Sequence, residues 1–409
     1  MNRTARIGIF AASIALLGYA GIGHVLGRTP DDTAYKSLTV YGEVLQKIQQ
    51  DYVDEPNMRL VTAGSLHGLL ESLDPQSSYL TPREYTEYKQ KISSPGTGET
   101  GMTLSKRYGY IIVVSVLPDS PAQKANIQSG DIFESIAGFT TRDMSVGQAM
   151  NLVHGAPGTA VKVAVIRRGK TDPEEVDVVR EKLTEPKLIV QKTDPDILAI
   201  RIPSLPEGRA EEVRAKIAEA EKQGIKKIVL DVRDCGRGPA SEGIAVAKLF
   251  IPSGTLTTLR GQTVTTQTFS ADPSKVVWKG PVSVLIDGTT SGAAEVMAAA
   301  FVNNKRGDIV GDRTFGLASE QKLIPLEDGS AINLTVANYY NGDGKSILEE
   351  GVIPSEVVRA ANADDDGADD DATAQPTQTP AEPRPLSPED PVYKKALELM
   401  KAPAAKKAA

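Results

Sequence analysis

The stretch IDGTTSGAAEVMAAAF, residues 286–301, holds the residues best placed to do chemistry. It reads as a strand end, a tight turn and an Ala-rich helix. A helix N-terminus favours developing negative charge, so such a turn suits a nucleophile beside an oxyanion site. Ser291 is then a nucleophile, a helix cap, or a neighbour of a nucleophile that is gone. It stands just before GAAEVMAAAF, and its spacing to Ala294 fits a cap, although Glu295 comes one residue late for a capping box. A helix cap or turn residue is the reading taken, with a shifted nucleophile as the alternative. A base for that nucleophile is hard to find. Lys322 faces the wrong side of a strand if position 317 faces the site, and Lys305 lies at the far end of the helix. Cys235 is a second nucleophilic atom, but no histidine is near it in sequence, and an inert buried thiol is the commoner state.

The rest of the composition narrows the chemistry. The chain has 409 residues, enough for two or three domains. With 46 Lys+Arg against 53 Asp+Glu the net charge is -7, which argues against a nucleic-acid partner. A single cysteine excludes an internal disulfide. Three scattered histidines, His24, His67 and His154, leave few parts for a zinc site or a Ser/His/Asp triad, and no metal or cofactor is expected.

The elements that must position these residues follow from periodicity. Residues 1–28 are an anchor or signal segment: Arg3 and Arg6 precede the uncharged run 7–26, whose helix would span roughly 30 Å. The flanking arginines keep the N-terminus in the cytoplasm and put the body in the periplasm or extracytoplasmic space. No small-x-small cleavage site follows, so an uncleaved anchor is preferred to a cleaved signal that would leave the protein secreted. Residues 33–96 read as helical, with stripes at Leu38, Tyr41, Leu45, Ile48 and Tyr52 and at Leu66, Leu69, Leu70 and Leu73, taken as core and domain packing. Residues 97–182 are β-rich. Residues 187–358 alternate strands and helices, the pattern of a sheet with helices packed on it. Residues 361–390 are acidic and Pro-rich, a disordered linker by composition, and 391–409 form a short helix and tail.

Two resemblances emerge from these segments. The order of elements in 97–182, with SPAQKANIQSGDIFESIAG inside it, resembles a PDZ domain, apart from Asn126 where glycine is usual. Such domains hold a peptide C-terminus as an added strand, with its carboxylate on backbone N–H groups. The resemblance implies a loop at Gly101, Met102, Thr103 and Leu104 and a facing wall at Val146 and Met150. The alternative is a PDZ fold that only clamps its neighbour. Taken together, SLDPQSSYL, the placed PDZ module, IVLDVRD, GDRTFG and GVIPSEVV resemble the C-terminal processing peptidases, or tail-specific proteases, over about residues 35–360.

That family resemblance implies an α/β multidomain protein whose peptidase core is related to the ClpP/crotonase-like fold, cleaving protein tails with a Ser–Lys dyad. Lysine serves as base when burial disfavours its ammonium. Aligned on Glu295, the family's nucleophile falls on Gly292 and its lysine on Leu317, while Gln321, which would orient the lysine, persists. The oxyanion positions correspond to Gly238 and Ala293, and Asp234-Cys235-Gly236-Arg237 replaces the family's turn. Glycine brings no nucleophile and leucine takes no proton. The chain is therefore expected to be a non-catalytic member that binds protein tails or an active relative. An active endopeptidase built on Ser291 is the alternative.

Overall fold

The structure is a computed structural model, and it describes residues 32–93, 96–167, 169–358, 386–387 and 389–401. The apolar run 7–26 and nearly all of the acidic linker lie outside these residues. The chain divides into two bodies, residues 1–62 and 63–409.

The first body contains α1 (Asp32–Asp51). Helix α2 (Met58–Glu71) leads from it into the second body. Both helices form where the three- and four-residue spacing predicts. The expected packing of their stripes does not follow, however. Leu38, Tyr41 and Tyr52 are largely exposed, as are Leu69 and Leu73, and of the second stripe only Leu70 is buried. A stripe on a helix says that a surface wants cover; it does not supply the covering partner.

In the second body, β1 (Ser78–Leu80) and α3 (Pro82–Ser93) precede the PDZ-like module. Its strands are β2 (Met102–Arg107), β3 (Tyr110–Val116), β4 (Ile132–Ile136), β5 (Phe139–Thr140), β6 (Ala160–Ile166) and β7 (Glu174–Val179). They run in the order β2-β3-β4-β6-β7, so β2 is an edge strand, and β5 pairs with β4. Helices α4 (Pro121–Lys124) and α5 (Val146–Val153) complete the module. Ser145 and Gln148 close a reciprocal capping box at the start of α5.

The α/β core follows. Its strands are β8 (Ile189–Asp194), β9 (Ile197–Arg201), β10 (Lys227–Asp231), β13 (Val282–Ile286), β14 (Asp308–Gly311) and β17 (Glu356–Val357). They form one sheet in the order β17-β14-β13-β10-β9-β8, parallel except for the β8–β9 pair. Strand residues alternate between two faces. Leu198, Ile200, Ile228, Leu230, Val284 and Ile286 pack with α6 (Arg209–Lys222), α7 (Ala240–Lys248) and α8 (Ala293–Asn303). Ile197, Ala199, Val229, Leu285 and Val310 point the other way, onto α9 (Pro391–Lys401). A parallel sheet needs cover on both faces, and here the second cover comes from the end of the chain. A second sheet joins β1, β16 (Ala331–Tyr340), β11 (Thr255–Arg260) and β12 (Gln267–Ser270), with β15 (Ser319–Pro325) also on β16.

Candidate functional site

Strands β10, β13 and β14 are parallel neighbours, so the loops at their C-terminal ends (232–239, 287–292 and 312–318) open on one side of the sheet. This is where open α/β sheets place their sites. The loops are tied to one another. Thr290 Oγ1 donates to Val232 O (3.0 Å), and Thr289 Oγ1 accepts from Asp234 N–H (2.7 Å). Ser291 N–H donates to Cys235 O (3.0 Å), and Phe315 N–H to Thr290 O (3.0 Å).

The helix start corrects the reading of Ser291. The N-cap of α8 is Gly292, one residue later. Glu295 is then the third helical residue and reaches back to Gly292 N–H (2.8 Å), so it is in register after all. Ser291 is 1% exposed, and its Oγ has no hydrogen-bond partner. It neither caps the helix nor meets a lysine. Gly292 has φ 60°, ψ -119°, and a Cβ built on it would meet nothing within 4 Å. The backbone thus makes a sharp turn at a positive φ that glycine adopts readily, and presents no side chain to the open space there.

Glu295 is the organising residue that sequence reasoning passed over. Its buried carboxylate accepts four hydrogen bonds, from Gly292 N–H, Thr314 Oγ1 (2.6 Å), Gly316 N–H (2.5 Å) and Leu317 N–H (2.7 Å). Burial pushes its carboxyl above the usual range, and these four donors pull it back. Three of them are backbone N–H groups that can only donate, which suits the ionised form. Glu295 therefore joins the turn at Gly292 to the loop at Leu317. The available signal was a charged residue inside an otherwise apolar helix, which must have partners if buried.

Leu317 packs with Ile112 and Val114 of β3 and with Phe315, so it is part of an apolar contact with the PDZ module. Arg107 reinforces it, its guanidinium 4.0 Å from the Phe315 ring centroid and one N–H on Phe315 O (3.1 Å). Gln321 is exposed and bonds Ser319 Oγ (2.9 Å), with Thr335 Oγ1 at 3.5 Å. Lys322 is exposed on β15, a strand that begins after Leu317, and Lys305 is exposed just past the end of α8.

The turn after β10 carries the second contact with the module. Thr103 Oγ1 donates to Gly236 O (3.2 Å). A Cβ on Gly236 would fall 2.2 Å from Ser115 Oγ, 2.7 Å from Ser291 Oγ and 3.0 Å from Thr103 Oγ1, so three hydroxyls crowd this glycine. Arg237 turns outward to Glu99 (2.6 Å) and Glu185 (2.9 Å), which lie in the segments that enter and leave the module. At Gly238 the backbone lies so near Leu205 that a Cβ would sit 2.0 Å from its carbonyl oxygen. Ala293 begins α8 and is buried. Cys235 is fully buried, and burial pushes its thiol up to about 12, which leaves no thiolate for chemistry near neutral pH. Of the other positions assigned to peptide binding, Gly101 sits at φ 83° against Ser120. Met102, Leu104 and Val146 are buried in the module's own core, with Met150 partly buried against it.

Two substitutions test this geometry by urea unfolding. Ser291→Ala should leave stability unchanged or raise it by about 1 kcal/mol, because it removes a buried hydroxyl without a partner; a loss of about 1 kcal/mol would restore the cap. Glu295→Ala should cost about 3–5 kcal/mol, since it strands four buried donors. A loss below about 1 kcal/mol would mean that the two loops do not depend on this carboxylate.

Comparison with known proteins places this architecture. Residues 196–358 match peptidase family S41, and residues 112–167 match the PDZ domain. The carboxy-terminal-processing protease of Bartonella bacilliformis is 28% identical over 333 residues, covering 80% of this chain and 76% of that protein. The carboxy-terminal processing protease CtpA of Bacillus subtilis is 29% identical over 345 residues, covering 84% and 73%. Among solved structures, the photosystem II D1 C-terminal processing protease shares the fold, with a TM-score of 0.65 at 23% identity over 78% of this chain and 92% of that one. A PDZ domain ahead of a peptidase S41 core, with carboxy-terminal processing proteases matched over most of the chain, supports its membership of the C-terminal processing peptidase family.

Proposed function

We propose that this protein is a non-catalytic member of its family that binds protein C-terminal tails through its PDZ domain. The observation that carries this reading is the state of the two dyad positions. Gly292 holds a positive-φ turn with empty space where a nucleophile would project, and Leu317 is packed against the PDZ domain where a base would stand. Without either group there is no covalent route; binding and oxyanion stabilisation alone would remain. Ser291 is a poor substitute, being buried beneath the contact around Gly236.

Tail binding is supported by the position of β2 at the edge of its sheet, the arrangement that strand addition requires. The carboxylate-holding loop also touches the core through Thr103 and Gly236. A bound tail and the docked core therefore compete for the same loop. On this reading the body works outside the cytoplasm, tethered by residues 7–26, which follow Arg3 and Arg6. The exposed stripe on α1 offers a surface for assembly with an active relative.

Cleavage is the first test. The purified protein should not cut a denatured or tail-tagged substrate above background, and Ser291→Ala should change nothing. Cutting that disappears in Ser291→Ala would establish a shifted nucleophile instead. Binding is the second test. Gly236→Leu wedges the turn away from β3, so it should tighten anisotropy-measured binding of apolar-tailed peptides at least about threefold by removing the cost of undocking. If neither protein binds such peptides, tail reading is wrong and the PDZ fold serves only as a clamp.

A further inference from the structure

The second face of the parallel sheet has an unusual cover. Ile197, Ala199, Val229, Leu285 and Val310 are all fully buried, and the side chains over them include Val392, Tyr393, Ala396 and Met400 of α9. Leu386 and Val358 join the same cluster, so the chain leaves this face and returns to it at nearly the same place. Between them stand about 27 residues, 359–385, where a few would bridge the gap.

The helix is seated by directional polar contacts as well as by apolar ones. Asp390 Oδ1 accepts from Val392 N–H (3.0 Å) and Tyr393 N–H (3.3 Å), capping α9. Its other oxygen lies 2.7 Å from Arg233 Nη1, and both side chains are almost fully buried. Asp231 holds the opposite side of that guanidinium, with two further bonds of 2.9 Å. At the other end Lys401 pairs with Asp194 (2.8 Å), and in the middle Lys395 approaches Glu356 (3.6 Å). The groove thus prescribes a short amphipathic helix with an acidic cap and a basic last turn.

We propose that this sheet face is a helix-binding groove occupied reversibly by residues 386–401, so that the same segment of a second copy of the chain can take its place. The segment meets the rest of the protein as a ligand meets its site: an apolar stripe, one deep charge and rim pairs that set direction. Covalent linkage raises its effective concentration, which keeps the groove filled in the single chain. Arg233 also links the groove to the turn at 234–238, so occupancy on one face of the sheet bears on the loop that meets the PDZ domain on the other side.

The test uses the full chain with a site-specific protease site inserted after Asp371, cut after folding. The released tail should stay bound. A labelled synthetic peptide of residues 386–401 in hundredfold excess should then replace it while the core stays folded, as judged by hydrogen exchange of β10 and β13 amides. Asp390→Asn in the peptide should weaken binding at least about tenfold, and Lys401→Ala less than about threefold. If the tail leaves only as fast as the core unfolds, it is an inseparable part of the fold and the proposal fails. It also fails if the cut protein loses its tail and takes up no peptide.

Discussion

One buried carboxylate sets the geometry on which the site depends. Glu295 is fully buried, yet four donors from two separate loops converge on it. A buried charge is tolerable only when it is saturated in this way. Because its donors include the backbone of both Gly292 and Leu317, the two positions stay in register whatever side chains they carry. The turn at Gly292 and the loop at Leu317 are thus held as one unit by backbone contacts.

What those groups do instead is decided by magnitudes. Arg237 with Glu99 and Glu185 makes the most conspicuous polar link between core and PDZ domain, but all three side chains are 28–39% exposed. Such pairs contribute about 0–1 kcal/mol each and are screened by salt. The apolar cluster is different. Ile112, Val114 and Phe315 are at most 8% exposed, and side chains of this size contribute about 1.5–3 kcal/mol each on burial. Docking therefore rests on the apolar contact that includes Leu317, with the ion pairs fixing orientation. A lysine at that position would place an ammonium against the same cluster, so a charge able to act as base and a tightly seated PDZ domain are at odds at this one residue.

Much of the architecture was legible in the chain. The strand–turn–helix around residue 286, the PDZ order of elements and the alternating core all follow from local period and turn residues. The exact helix start was not. A serine looks like a cap, whereas a glycine at positive φ looks like a turn, and only the return bond from Glu295 shows which residue begins α8. The cover of the sheet's second face was illegible for another reason. Val229 and Leu285 announce that they need burial, but nothing local says that a helix more than a hundred residues later supplies it. The link from Arg233 to Asp390 is equally remote in sequence. The stripe on α1 shows the converse, a local apolar pattern in which Leu38 and Tyr52 stay largely exposed.

The backbone at residue 292 connects stability with the reading of function. A residue bearing a Cβ at φ 60°, ψ -119° carries strain on the order of 1–3 kcal/mol, while glycine carries little. A nucleophile held there is thus costly to fold, and the cost is justified only by chemistry. Leu317, whose N–H also binds Glu295, puts an apolar side chain into the contact with the PDZ domain. The loops after β13 and β14 thus carry a glycine turn beside open space and a seat for the neighbouring domain. Glu295 holds both, because it fixes the backbone rather than the side chains that project from it.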